Sequence, residues 1–329
     1  MTEVAGAREL SKEALLDAYR VMRTIREFEE RLHVEFATGD IPGFVHLYAG
    51  EEAIAAGVCA HLNGDDYVAS THRGHGHAIA KGCDVKAMMA EIYGKADGLC
   101  RGKGGSMHIA DLDKGMLGAN GIVGGGPPLV CGAGLSAKVR GTKGVAVSFT
   151  GDGGANQGTF LESLNLASVW ELPVVFVIEN NGYAEATAQA FSSKGIDIAK
   201  RADGFSLPGV VVDGHDFFAV YEAAGEAIRR AREGGGPSLI EAKVNRYYGH
   251  FEGDAQTYRA EGEVEEIRKE KDCLDLFARR VTSAGVVEQE ELDRIDEEVN
   301  TLIDEAVEEG KAAPEPEESQ LLTDVYVSY

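Results

Sequence analysis

The sequence predicts an α/β fold: a doubly wound, mostly parallel sheet with helices on both faces, followed by a helical C-terminal extension. Three observations predict it. Short apolar runs alternate with amphipathic stretches along most of the chain. Two of these runs, 145–149 and 174–178, flank a helix-forming stretch at 155–170, as in a βαβ unit whose strands lie parallel and adjacent. Glycine accounts for 42 of 329 residues and clusters between Gly94 and Gly158, where loops would approach a ligand closely.

The elements follow in order. Residues 11–36 read as an amphipathic helix with Leu15, Tyr19, Met22, Ile25, Phe28 and Leu32 on one stripe and a cap region at Ser11. A loop with Pro42 leads to a helix at 51–62, then to a short strand at 67–70 and a loop at 71–76. A helix at 85–93 precedes the glycine-rich region 94–126, which is too long to be a mere connector. A helix at 129–140 enters the βαβ unit. Beyond it come a strand at 210–212, a helix at 217–232, a strand at 238–244 and a long loop at 245–259. Charged amphipathic helices are expected at 261–284 and 288–309, and a flexible Pro/Glu-rich segment at 312–320. This divides the chain into a main domain, 1–259, and an acidic helical extension, 260–329, packed on it.

The net charge of −23 argues against nucleic acid or an anionic membrane as partner. It is uneven: residues 251–329 carry 24 acidic and 8 basic side chains. The five cysteines stand at 59, 83, 100, 131 and 273 without a C-x-x-C pair, which fits reduced thiols in a cytoplasm. No signal peptide or membrane span is apparent.

The βαβ unit carries the first site. Asp152 and Asn181 lie just past the ends of its two strands, where open α/β sheets bind ligands. A carboxylate and an amide oxygen suit a hard cation such as magnesium. Gly153 and Gly154 would let backbone N–H groups approach a phosphate. In isolation Asn181 also reads as a turn former. The second cluster, Thr71 to His77, holds three histidines. Its H-x-x-H-x-H spacing does not match common zinc patterns, and a solvated polar loop is the plain alternative. Gly132 to Ala137 spells G-x-G-x-x-A, but the prolines before it exclude the strand that a dinucleotide site needs.

These motifs carry a resemblance. Asp152-Gly153 followed, after a helix and a strand, by Asn180-Asn181 resembles the thiamine diphosphate signature. The text from Gly151 to Tyr183 is similar to alpha subunits of the first component of 2-oxo acid dehydrogenase complexes, and the stretches 36–53 and 181–187 most resemble those of acetoin dehydrogenases. The resemblance runs from about residue 15 to about residue 259, and more loosely to the C-terminus. It implies thiamine diphosphate and Mg2+ as cofactors, with Asp152, Asn181 and the Tyr183 carbonyl on the metal. It makes Arg73 a diphosphate clamp, with His72, at a position often Tyr in pyruvate-specific relatives, beside it. Gly121 and Val123 match positions whose backbone reads the aminopyrimidine ring. His46 and His250 would line the cofactor entrance, His250 also serving the diphosphate, and His75 or His77 would move protons. Phe251 stands where some relatives carry a phosphorylatable serine.

The implied reaction cleaves acetoin to acetaldehyde and a hydroxyethyl-thiamine intermediate, whose acetyl group passes to a lipoyl-bearing acyltransferase. The ring-facing carboxylate would come from a separate beta subunit in an α2β2 assembly. Glu51, Glu52 and Glu179 are local alternatives without a supporting motif. The alternative readings are the alpha subunit of a pyruvate or branched-chain 2-oxo acid dehydrogenase and a non-catalytic acidic scaffold.

Overall fold

Two apolar runs with no charge and no glycine become the centre of the sheet. In the computed structural model, which describes residues 5–195, 197–324 and 326, they are β3 and β4 below. The chain opens with α1 (Ala5–Glu9) and α2 (Lys12–Phe36), followed by α3 (Glu52–Cys59), β1 (Tyr67–Ala69), α4 (His75–Ala80), α5 (Val85–Ile92) and β2 (Met116–Gly118). Next come α6 (Gly126–Arg140), β3 (Ala146–Gly151), α7 (Gly158–Val169) and β4 (Val174–Asn180). A small hairpin of β5 (Tyr183–Ala184) and β6 (Thr187–Ala188) runs into α8 (Gln189–Ser192). Then β7 (Gly209–Asp213), α9 (Phe217–Arg232) and β8 (Ser238–Lys243) complete the sheet, and α10 (Glu263–Lys271), α11 (Cys273–Ser283) and α12 (Gln289–Ala312) follow.

The six-stranded sheet has the order β2-β1-β3-β4-β8-β7, and every pairing in it is parallel. The chain leaves β1 to one side and returns to the other, which makes a switch point between β1 and β3. In doubly wound sheets that is where ligands bind, at the carboxyl ends of the strands. Side chains of β3 and β4 alternate between two cores, as the two-residue period of a strand requires. Val147, Phe149, Val175 and Val177 join the larger core with α2, α3, α9 and α12. Ala146, Val174, Phe176 and Ile178 join the smaller one with Phe160 and Leu164 of α7. Helices therefore cover both faces, as the sequence predicts.

Local signals explain the boundaries. Ser11 caps α2, its hydroxyl accepting the Ala14 N–H at 3.2 Å. Pro127 and Pro128 lie in the first turn of α6, where a missing N–H costs nothing. The G-x-G-x-x-A stretch lies inside that helix, so it makes no dinucleotide-binding turn. The helix expected at 261–284 is broken. Asp272 caps α11 through the Leu274 N–H at 2.9 Å and takes Arg26 at 2.7 Å, which stops α10 at Lys271. The loop expected at 71–76 ends early, because α4 begins at His75. The long α12 packs against α2 and α5. The segment after it is anchored: Pro314 accepts the Ala96 N–H at 2.8 Å, and Lys95 pairs with Glu315.

The glycine-rich loop after α5 is organised by one side chain. Glu91 is fully buried, and its carboxylate accepts four backbone N–H groups. Oε2 takes Cys100 and Gly102 at 2.8 Å each, and Oε1 takes Gly104 at 2.7 Å and Gly105 at 3.0 Å. The loop thus delivers Ser106 and Met107, in a single 3-10 turn over Ser106–His108, to fixed places.

Candidate active site

A cavity of 430 Å³ opens at the carboxyl ends of β1, β3 and β4, a size suited to a cofactor. Asp152, Gly153, Gly154, Asn181, Tyr183, Gly121, Val123, Arg73, His46, His72 and His250 all line it. His75 and His77 do not.

The register of β3 and β4 pairs Gly151 with Glu179, so Asp152 and Asn181 start from adjacent strand ends. Asp152 is 2 % exposed, and its Oδ2 has no hydrogen-bond partner among the described residues. Burial pushes its carboxyl up to about 6. A buried carboxylate oxygen without a donor is costly unless a cation meets it. The Asn181 side-chain N–H donates to Glu51 at 2.9 Å. Its Oδ1 is left to the Tyr183 N–H at 3.3 Å and to Arg246 at 3.4 Å. Together with the Tyr183 carbonyl, which accepts from Arg246 at 2.9 Å, the donor set is all oxygen and fits a hard divalent cation.

The glycines behind this corner are spatially required. A Cβ on Gly153 would collide with Ala184, and one on Gly154 would come within 2.9 Å of Thr150. Backbone can therefore approach a ligand closely there. Glu51, fully buried against Glu179 and Arg73, has its carboxyl pushed up to about 8 by burial and the Glu179 charge.

Arg73 is buried, and its guanidinium donates to the carbonyls of Leu47 at 2.5 Å and His250 at 2.9 Å. It ties together the loops on either side of the cavity mouth. Around it stand three imidazoles: His46 to His72 at 4.6 Å between ring centroids, His46 to His250 at 5.1 Å, and His72 to His250 at 5.0 Å. Burial, then the Arg73 charge, holds His46 down to about 3 and His250 down to about 4, and lowers His72 as well.

The other two histidines of the cluster are turned inward. His75 Nδ1 faces Glu29 at 3.0 Å and its Nε2 faces Ser106 at 2.9 Å, all buried. The expectation that His75 moves protons at the site finds no support, because neither ring nitrogen reaches the cavity. His77 Nδ1 faces Ser70 at 2.7 Å and its Nε2 faces Glu179 at 2.8 Å, with the ring stacked on Phe149. Tyr48 also donates to Glu179.

Sequence reasoning missed Arg246. It is fully buried and bridges Asn181, the carbonyls of Tyr183 and Glu185, and Tyr258. Its one signal was a position four residues before His250, in the same loop.

With this geometry in view, comparison with known proteins assigns the class. The chain belongs to the dehydrogenase E1 component family, which it matches over residues 20–319. More particularly, it is 68% identical over 325 residues to the alpha subunit of an acetoin:2,6-dichlorophenolindophenol oxidoreductase from Cupriavidus necator, covering 99% of this chain and 98% of that one. The subunit of the same name from Bacillus subtilis is 59% identical, covering 97% of this chain and 96% of its own length. The pyruvate dehydrogenase E1 alpha subunit of Rhizobium meliloti is 40% identical, covering 96% and 91%. No helix among the described residues is long and apolar enough to cross a membrane.

Proposed function

We propose that this chain is the alpha subunit of a thiamine diphosphate-dependent acetoin dehydrogenase. The observation that carries the cofactor assignment is the buried, unpartnered Asp152 carboxylate oxygen beside Asn181 at adjacent strand ends. The relatives at 68% and 59% identity, both named for acetoin, support the substrate. Asp152, Asn181 and the Tyr183 carbonyl would hold Mg2+, while the backbone at Gly153 and Gly154 and the Arg73 guanidinium would hold the diphosphate. Gly121 and Val123 would meet the aminopyrimidine ring. When bound, the cofactor supplies a thiazolium carbanion and an electron sink for cleavage beside a carbonyl. His46, His72 and His250 surround the mouth through which a substrate enters.

The chain supplies one half of a site. A beta subunit would bring the ring-facing carboxylate in an α2β2 assembly, and a lipoyl-bearing acyltransferase would take the acetyl group. Glu51 and Glu179 line the cavity here, yet both are committed to Asn181, Tyr48 and His77. We therefore expect no acetoin cleavage by the purified chain with thiamine diphosphate and Mg2+. Activity should appear on adding the beta subunit, read with an artificial electron acceptor. Rapid exchange of the thiazolium proton in the isolated chain would overturn the two-subunit reading. Faster turnover of pyruvate than of acetoin by the assembled enzyme would move the substrate assignment to the pyruvate relatives.

A further inference from the structure

Asn181 brings a side-chain oxygen to the corner at Asp152, but an amide has two ends. A half-turn about its last bond would exchange Oδ1 for Nδ2 and set a donor where a cation needs a lone pair. The neighbours decide which end faces the corner. Nδ2 donates to Glu51 at 2.9 Å, while Oδ1 meets two donors, the Tyr183 N–H at 3.3 Å and the Arg246 guanidinium at 3.4 Å. Both contacts to Oδ1 are long. The oxygen therefore keeps lone-pair capacity, and the hold on the amide comes from Glu51.

Glu51 is seated for this task. It is the N-cap residue of α3. Gly50 before it has φ +103°, and a Cβ there would come within 2.3 Å of the Asn245 carbonyl oxygen, so the turn admits only glycine. Glu52 after it takes the Gly50 N–H at 2.9 Å and Arg26 at 2.6 Å, which secures the start of the helix. Glu51 has no such duty: Asn181 is its one side-chain hydrogen-bond partner among the described residues. Burying a carboxyl group for a single bond is costly, which points to Asn181 as the reason for it. Asn180 gives the contrast. Its Nδ2 donates to Glu241 at 2.7 Å and its Oδ1 takes the Gly182 N–H at 3.2 Å. Glu241 also takes the Ala199 N–H at 2.7 Å. Neither Asn180 nor Glu241 lines the cavity, and that pair only holds the turn.

We propose that Glu51 is a positioning residue for the divalent cation: it holds the Asn181 amide with Oδ1 turned to the corner shared by Asp152 and the Tyr183 carbonyl. The inference rests on the assignment of Mg2+ to that corner. Partners one step behind the metal ligands fix which atom each ligand presents. Part of the cation affinity then belongs to the start of α3, which is distant in the chain from the βαβ unit that carries Asp152 and Asn181.

The test uses the enzyme assembled with its beta subunit, freed of metal and supplied with excess thiamine diphosphate. Mn2+ is the probe, and loss of the free-ion electron paramagnetic resonance signal reads its binding. Glu51→Ala and Glu51→Met, the second filling the space without an acceptor, should each weaken Mn2+ by at least tenfold, about 1.4 kcal/mol. Glu51→Gln, whose side-chain oxygen can still accept the Asn181 N–H, should stay within about threefold of the wild type. An unaltered circular dichroism spectrum and a retained beta subunit show that each variant is folded and assembled. Glu51→Gln as weak as Glu51→Ala would mean that charge and not orientation matters, and overturns the proposal. So does wild-type affinity in Glu51→Ala and Glu51→Met while Asp152→Ala loses the ion. If Asp152→Ala keeps the ion as well, the metal corner itself falls, and this inference with it.

Discussion

Two sets of histidines, one turned into the core and one lining the cavity, have opposite fates. His75 and His77 open α4, and each uses both ring nitrogens on buried partners: Glu29 and Ser106 for one, Ser70 and Glu179 for the other. Being two positions apart, they point about 200° away from each other around the helix. One reaches α2 and the other the sheet. His46, His72 and His250 have no protein partner for any ring nitrogen among the described residues, and they face the opening. The first pair holds structure together and the second trio is presented to a ligand. The difference teaches that a cluster of histidines in sequence is no guide to a cluster in chemistry. What matters is whether the surrounding donors and acceptors are already taken.

The sharpest way to break this comparison is His75→Ala. It strands the buried Glu29 carboxylate and the Ser106 hydroxyl and leaves a hole beside Phe28. Removing one member of such a buried pair costs about 3–5 kcal/mol, which a denaturant midpoint will show. A loss no greater than that of His72→Ala would dissolve the distinction between the two sets. Next in size is Asp152→Ala. In the assembled complex it should weaken thiamine diphosphate by at least tenfold, about 1.4 kcal/mol, by calorimetry. In the metal-free chain it should leave the melting temperature the same or higher, since the lost carboxylate oxygen had no partner. Arg73→Lys follows. It keeps a charge but loses the planar fork that spans Leu47 and His250, so cofactor affinity should fall severalfold. The smallest effect belongs to His72→Gln, which should change stability by no more than about 0.5 kcal/mol. A much larger loss would mean that this ring has a structural duty after all.

Legibility followed the reach of each signal. The βαβ unit was readable because 145–149 and 174–178 are apolar runs of strand length, and the periodicity of 217–232 coincides with α9. The strand β2 was not, since three residues flanked by glycine carry no period. Nor was α4, whose first residues are poor helix formers set in a histidine cluster. The break at Asp272 was hidden because a capping acid in an acidic stretch looks like any other. Asp152 and Asn181 were legible as a pair because one short unit fixes both. The trio at the mouth was not, because 26 residues separate His46 from His72 and 178 separate His72 from His250. Arg246 escaped for the same reason: its partners at Asn181 and Tyr183 belong to a distant loop.

Glu91 has a consequence of its own. A loop of a dozen residues that would otherwise sample many shapes is gathered on one buried carboxylate, with Ala96 on Pro314 and Lys103 on Thr323 and Asp324 as further ties. Four amides, at Cys100, Gly102, Gly104 and Gly105, share one acceptor group. In hydrogen exchange they should open as one unit with one common free energy, not fray residue by residue. That opening would release Met107 from the cavity wall. The wall on that side therefore rests on a buried carboxylate that lies outside the cavity.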